Sequence, residues 1–351
     1  KSAHYYIFEE GGAGKELVSY VMERDDCSFI EAAKTLAQHA NFPLPELSLE
    51  AKQKWQEQQK RGSIWEAALA YCQDCLWNKN GGGSQKANVV SYLTNDRGYN
   101  EAEAKAMGLG YIPNQEKLFS SLEEQGYDRD ELSQSIQLNR AIGDTHKICI
   151  PIRGRGGKLI GIAARTLDDN AQQKYLYSTG LKIGEQLLNK QPLKSDKDLV
   201  LVEGLLDCLH AQAKGLEHVA ALGGKALKEA QLEEILKDKP HRVTLCLDND
   251  EAGKNGTAKA IKALQQKGFN RCYVGTFPKG IKDLDELLKK QGTEAAQTLI
   301  AKATPAYEFM LEQILDRYPE EPSAKEQDTL LEEVVSYGNS LSPLDRERYN
   351  N

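Results

Sequence analysis

Three acidic groupings lie in the second half of the chain, each after an apolar run. Glu203 follows Leu199-Val200-Leu201-Val202 and precedes Gly204; the run Val243–Leu247 leads into Asp248-Asn249-Asp250-Glu251-Ala252-Gly253; Asp283-Leu284-Asp285-Glu286 comes after Cys272–Gly275. Such runs read as buried strands, which would put the acids on the sheet edge where open α/β folds bind ligands. Carboxylates gathered there repel one another, a cost tolerated where a hard divalent cation such as Mg²⁺ or Mn²⁺ sits among them. A metal so held can clamp phosphate oxygens during an in-line displacement. A lone Asp-Asn-Asp is more often a turn or a helix cap; three acidic strand ends in succession favour the metal reading.

The elements that must position these acids are legible as an alternation. Strand-like runs at 199–202, 218–221, 243–247 and 272–275 are separated by helical patterns over 205–214, 226–237 and 252–267. Continuous apolar strands between helices imply a parallel sheet with helices on both faces. Before it, His146–Arg153 and Leu159–Arg165 flank Gly154-Arg155-Gly156-Gly157 and read as a hairpin. A helix is expected around Ile64–Trp77 and another ending near Arg97-Gly98. The stretch from 294 onward reads as all-helical, broken near Pro319–Pro322.

Of 351 residues, 40% are hydrophobic and 28% charged, with a net charge of −7, which excludes fibrous and disordered classes. The acidic balance argues against clinging to nucleic acid by bulk charge, though not against a local basic groove. No apolar run approaches the roughly 18 residues of a membrane span. Seven scattered cysteines suit reduced, buried thiols and a cytoplasmic protein. Cys72-Gln73-Asp74-Cys75 lies on an apolar helix without a second ligand pair, so packed thiols are expected there rather than zinc. The first segment carries a glycine cluster, Gly11-Gly12-Ala13-Gly14, then helical patterns, one opened by Ser28 with Glu31 three residues on, and ends at Pro43 and Pro45. Gly81-Gly82-Gly83 reads as a flexible connection. Opening at Lys1 and stopping after a charged segment, the sequence is expected to be a piece of a longer protein.

At this point the sequence resembles a known family. Val202-Glu203-Gly204 with Asp207, then Asp248–Gly253, then Asp283–Glu286, are similar to the three signatures of a TOPRIM domain. Tyr92-Leu93 with Arg97-Gly98, Gly108–Pro113, Ile150–Arg153 with Gly161 and Arg165, and Lys174–Ser178 resemble blocks of the bacterial DnaG-type primase core. The resemblance implies an α/β fold: a TOPRIM domain (parallel sheet, helices on both faces) with a mixed α/β amino-terminal subdomain and a helical carboxyl-terminal tail. The implied divisions are a remnant of a zinc-ribbon domain at 1–46, a linker at 47–63, and core subdomains at 64–193, 194–293 and 294–351.

Carried over by position, Glu203 matches the catalytic glutamate, and Asp248 and Asp250 are expected to be catalytic with it. Glu203, Asp248, Asp250, Asp283 and Asp285 form the implied metal set for Mg²⁺ or Mn²⁺. Arg153, Arg165 and Lys174 match residues implicated in template and nucleotide binding, Lys147 stands where Arg is usual, and Lys182 matches a basic position now followed by Glu185. Arg suits bidentate phosphate contact. Two cysteines usual near the start are absent from Tyr6–Gly12, so no zinc is expected in this chain. The implied function is synthesis of short RNA primers on single-stranded DNA from ribonucleoside triphosphates during replication, with a replicative helicase recruited through a region outside this chain and no membrane. The alternatives are a non-catalytic DNA-binding or assembly module of a replication complex, or another TOPRIM enzyme, a nuclease or topoisomerase.

Overall fold

In the computed structural model the described residues are 4–5, 15–25, 29–42, 48–78, 83–136, 145–193, 196–341, 343 and 346. The glycine cluster at 11–14, the cysteine-free stretch at 6–12, Ser28, Pro43, Pro45, Gly81 and Gly82 lie outside them. The chain divides into two units, Lys1–Gln59 and Lys60–Asn351.

In the first unit, β1 (His4–Tyr5) pairs antiparallel with β2 (Lys15–Glu16), followed by α1 (Leu17–Asp25) and α2 (Phe29–His39). Val21, Ala32 and Ala37 are buried. Helix α3 (Leu49–Trp77) begins here and runs into the second unit. The helix expected over 64–77 is therefore the second part of a longer one, and the stretch 47–63 is helical from Leu49. Its Lys, Gln and Glu residues are good helix formers, with no proline to stop them.

The second unit contains two sheets. α4 (Gly83–Ser91), a π-helical turn (Tyr92–Asp96) and α5 (Glu101–Ala106) lead into β3 (Gly110–Tyr111), α6 (Gln115–Glu124) and α7 (Arg129–Ile136). β4 (His146–Arg153), β5 (Leu159–Thr166) and β6 (Tyr175–Tyr177) complete an antiparallel sheet of order β3-β4-β5-β6. The expected hairpin is its centre, with Ile150 opposite Ala163. The second sheet has the order β11-β10-β9-β7-β8, built from β7 (Leu199–Val202), β8 (Val219–Ala221), β9 (Val243–Leu245), β10 (Cys272–Val274) and β11 (Thr304–Pro305). Between its strands run α8 (Leu205–Ala213), α9 (Glu229–Asp238) and α10 (Glu251–Gln266), with α11 (Leu284–Ala301), α12 (Ala306–Leu315) and α13 (Ala324–Ser340) after β10.

The pairings β10·β9, β9·β7 and β7·β8 are parallel. Side-chain alternation along β7 shows that both faces are covered: Val200 and Val202 join one core with α8, Leu287 and Leu288, while Leu199 and Leu201 join another with Ile235, Ile261 and Leu264. The first core also takes in Ile148, Ile150 and Ile152 of β4, so the two sheets share one hydrophobic interior. The second takes in Phe309, Met310 and Ile314 of α12, so the tail packs on the parallel sheet.

One correction concerns that tail, expected to be all-helical from 294: Thr304–Pro305 forms an antiparallel edge strand on β10. Two residues are too few to show a strand period, and proline is tolerated at a sheet edge. Between β6 and β7, the Asn189 N–H donates to the Arg153 carbonyl (2.7 Å) and Leu188 pairs with Ala221, so this segment stitches the two sheets together. Among the described residues no helix is long and apolar enough to cross a membrane.

Candidate metal and nucleotide site

Each acidic grouping sits where a parallel strand hands over to a helix. Glu203 follows β7 and Gly204 is the N-cap of α8, whose third residue, Asp207, accepts a hydrogen bond from the Gly204 N–H at 3.2 Å. Asp248 lies between β9 and α10; Asp250 caps α10 by accepting from Gly253 N–H at 2.7 Å. Asp283 caps α11, accepting from Glu286 N–H at 2.8 Å, and Asp285 is buried in the first turn. Three helix N-termini thus converge on one rim, and their dipoles favour anions there.

Carboxylate oxygens of Asp207, Asp283 and Asp285 lie within 4.8 Å of one another. Burial first, then the charges of Asp283, Asp285 and Asp248, pushes the Asp207 carboxyl well above the usual range; Asp283 is raised in the same direction by burial and by Asp285 and Asp248. Glu203 is raised by burial and by the charge of Asp248, although the Asp248 N–H donates to it, and its Oε1 is buried with no hydrogen-bond partner. Asp285 goes the other way. Burial alone would raise it, but His210 Nδ1 at 2.7 Å, Lys289 at 2.7 Å and Arg97 at 3.7 Å together hold it below the usual range. An ionised carboxylate can only accept, so Nδ1 of His210 carries the proton.

The oxygen-only donor set, its mutual crowding and the orphaned Glu203 Oε1 fit a hard divalent ion. Asp207, quoted in the first signature but assigned no role, is the member of this close triad that the sequence reading did not name as a candidate. Its spacing after Glu203 on a helix was the available signal. Lys289 lies four residues after Asp285 on α11, a pairing the sequence spacing could have shown, whereas His210 and Arg97 meet Asp285 only in three dimensions.

Gly253 is required by the close turn: a Cβ there would lie 1.9 Å from the Asp248 carbonyl oxygen. Gly253→Ala is expected to cost about 2–3 kcal/mol, read as a lower melting temperature, and to weaken metal binding through displacement of Asp248, read by Mn²⁺ titration.

The register sets Lys147, Arg165 and Lys174 on adjoining positions of β4, β5 and the lead into β6, with Arg153 at the other end of β4 and Lys182 beyond β6. Arg153, half-exposed at the end of β4, donates from Nη1 to the Gly157 carbonyl at 3.1 Å and faces Glu66 at 3.3 Å. Lys174 is exposed just before β6, and Lys182 is exposed and pairs with Glu185 at 2.8 Å. Lys147 is buried on β4, where Nζ donates to Gln85 Oε1 at 3.1 Å. Arg165 is only 3% exposed. Its guanidinium lies 5.1 Å and 5.6 Å from the ring centres of Tyr92 and Tyr175, donates to Tyr92 Oη and pairs with Asp169, which also accepts from the Tyr92 hydroxyl at 3.0 Å.

The DNA primase catalytic core N-terminal domain family matches residues 77–185, and the Toprim-like family matches residues 200–288. The first covers the antiparallel sheet and the second the parallel strands β7 to β10 with the acidic rim. The chain is similar to the bacterial DnaG-type primases over both stretches. It is 27% identical to the DNA primase of Clostridium acetobutylicum over 97% of this chain and 56% of that protein, and 26% identical to that of Aquifex aeolicus over 86% and 59%. The chain thus spans somewhat over half the length of these primases. Its fold is that of the RNA polymerase domain of Mycobacterium tuberculosis primase DnaG (TM-score 0.65, 22% identity, 83% of this chain and 97% of that one). It is likewise similar to the zinc-binding and RNA polymerase domains of the Aquifex aeolicus primase (TM-score 0.63, 23% identity, 96% and 80%).

Proposed function

We propose that this chain is the polymerase core of a primase, joining ribonucleoside triphosphates into short RNA primers on single-stranded DNA. The observation that carries the reading is the convergence of Asp207, Asp283 and Asp285 on the rim that also bears Glu203, Asp248 and Asp250, in a chain matched by the primase catalytic-core N-terminal family and the Toprim-like family. Asp207, Asp283 and Asp285 would hold one Mg²⁺ or Mn²⁺, and Glu203, Asp248 and Asp250 would complete the set. A divalent ion bound there would neutralise triphosphate charge and acidify the primer 3′-hydroxyl.

The chain's own residues do the rest. The N-terminal dipoles of α8, α10 and α11 would favour phosphate oxygens there. Glu203, with a free, buried Oε1 and a raised pKa, is the candidate acceptor of the 3′-hydroxyl proton. Exposed Arg153, Lys174 and Lys182 are assigned to template and triphosphate phosphates. Buried Lys147 and Arg165 are assigned to the same binding role, Arg165 by holding Tyr92 and Tyr175. A DnaG primase catalytic domain has been solved bound to single-stranded DNA, which supports that substrate here. Residues 1–46 are read as the remnant of a zinc-ribbon-like domain lacking zinc ligands, and a replicative helicase as a partner reached through a region outside this chain.

The test is primer synthesis on single-stranded DNA with labelled ribonucleotides in Mg²⁺, in Mn²⁺ and in EDTA. Labelled oligoribonucleotides in either metal and none in EDTA are expected. A folded, DNA-binding protein that makes none in either metal would turn the reading to a non-catalytic assembly module.

A further inference from the structure

Lys282 occupies a position that neither the metal set nor the phosphate contacts explain. Its Nζ lies 2.9 Å from Asp248 Oδ2 and 4.0 Å from Asp283 Oδ2, between acids contributed by two different strand ends. Its backbone is tied to both loops: its carbonyl accepts from Asn249 N–H at 2.6 Å and its N–H donates to Glu286 Oε2 at 2.6 Å. Asn249 Nδ2 reaches the next carbonyl, Ile281, at 3.2 Å. An exposed ion pair is ordinarily worth little, because two long side chains must be held in place. Here the main chain on each side is already held, so less freedom is lost. The other cations on the rim are engaged elsewhere: Arg97 and Lys289 meet Asp285, and Lys225 acts on Glu203.

We propose that Lys282 is the built-in counter-cation of the metal-free rim, holding Asp248 and Asp283 together until a divalent ion displaces its ammonium. The inference rests on the metal-site reading above. Without a cation between them the two acids would repel and load the hydrogen bonds that join the 248–249 and 281–283 loops. With a divalent ion bound, a lysine at the same oxygens competes with it and repels it. Lys282 would therefore preserve the site when empty at the expense of metal affinity. Its side chain is 58% exposed, which leaves the ammonium an open path to solvent when displaced.

The test is Mn²⁺ binding at low salt, read from the free-ion paramagnetic resonance signal, together with melting temperature in EDTA and in saturating Mn²⁺. Lys282→Gln is expected to bind Mn²⁺ about thirtyfold more tightly, the scale of one unit charge removed at about 4 Å from a divalent ion in a water-like medium. It should melt lower than the parent in EDTA, and the gap should close in Mn²⁺. Lys282→Arg, which keeps the charge, should behave as the parent. A purely structural role would lower the melting temperature equally with and without metal and leave affinity unchanged. Unchanged or weaker Mn²⁺ binding by Lys282→Gln overturns the proposal. A folded parent that binds no Mn²⁺ overturns the metal-site reading instead.

Discussion

Replacing Asp207 by Asn is expected to raise the melting temperature of the metal-free protein by a few degrees while lowering primer synthesis at least about a hundredfold, a loss of metal-borne charge stabilisation worth several kcal/mol. The two effects share one cause. Asp207 is buried among Asp283, Asp285 and Asp248, and the energy of crowding these charges is what an incoming cation relieves. Asn keeps the acceptor that receives the Gly204 N–H, so the start of α8 is preserved while a charge is removed.

The pH dependence follows in sign. An acid whose folded pKa is raised binds its proton more tightly folded than unfolded, so stability is lost as pH rises through the folded value and recovered on acidification. In EDTA the advantage of Asp207→Asn over the parent should be largest at neutral pH and shrink as pH falls toward the ordinary carboxylate range. Thermal melts across pH check the first half, and the primer assay the second. A variant destabilised at neutral pH, or fully active, would remove Asp207 from the metal set. Asp248→Ala/Asp250→Ala should also abolish synthesis, but it removes the α10 cap as well, so only Asp207→Asn separates charge from framework.

The second large effect lies away from the rim. Lys190→Met is expected to cost about 3–5 kcal/mol, a fall in melting temperature on the order of 10 °C, measured by calorimetry or circular dichroism. Lys190 and Glu234 are 4% and 5% exposed and 2.5 Å apart, and Asp238 also pairs with the ammonium. Glu234 is tied in further by accepting from Leu187 N–H at 2.9 Å. Removing the cation leaves two acids of α9, one of them buried, facing each other against the segment that stitches the sheets. Loss of the partner costs far more than the pair gains over an apolar contact, so Lys190→Met with Glu234→Leu should recover much of the stability. A single variant within about 1 kcal/mol of the parent would show that this triad is solvated.

How far the sequence alone reaches can be seen residue by residue. The strands at 199–202, 219–221, 243–245 and 272–274 and the helices between them were legible, because each is a short apolar run or an amphipathic period bounded by glycine or acidic caps. The acidic rim was legible for the same reason: in a parallel sheet every strand points the same way, so residues that end successive strands must meet at one edge. Chain order decides that much without any contact being known.

What tertiary structure alone decided is which of those acids can share an ion and which cation answers them. Asp207, Asp283 and Asp285 approach because α8 and α11 start side by side, whereas Asp285 is held by His210, Lys289 and Arg97, two from other elements. The basic residues show the same limit. Arg153 and Lys174 are exposed on the sheet, but Arg165, equally suited to phosphate by type, is enclosed by Tyr92, Tyr175 and Asp169. Residue type declares what a side chain can bind; burial and the charges brought around it from distant parts of the chain determine whether it is free to do so.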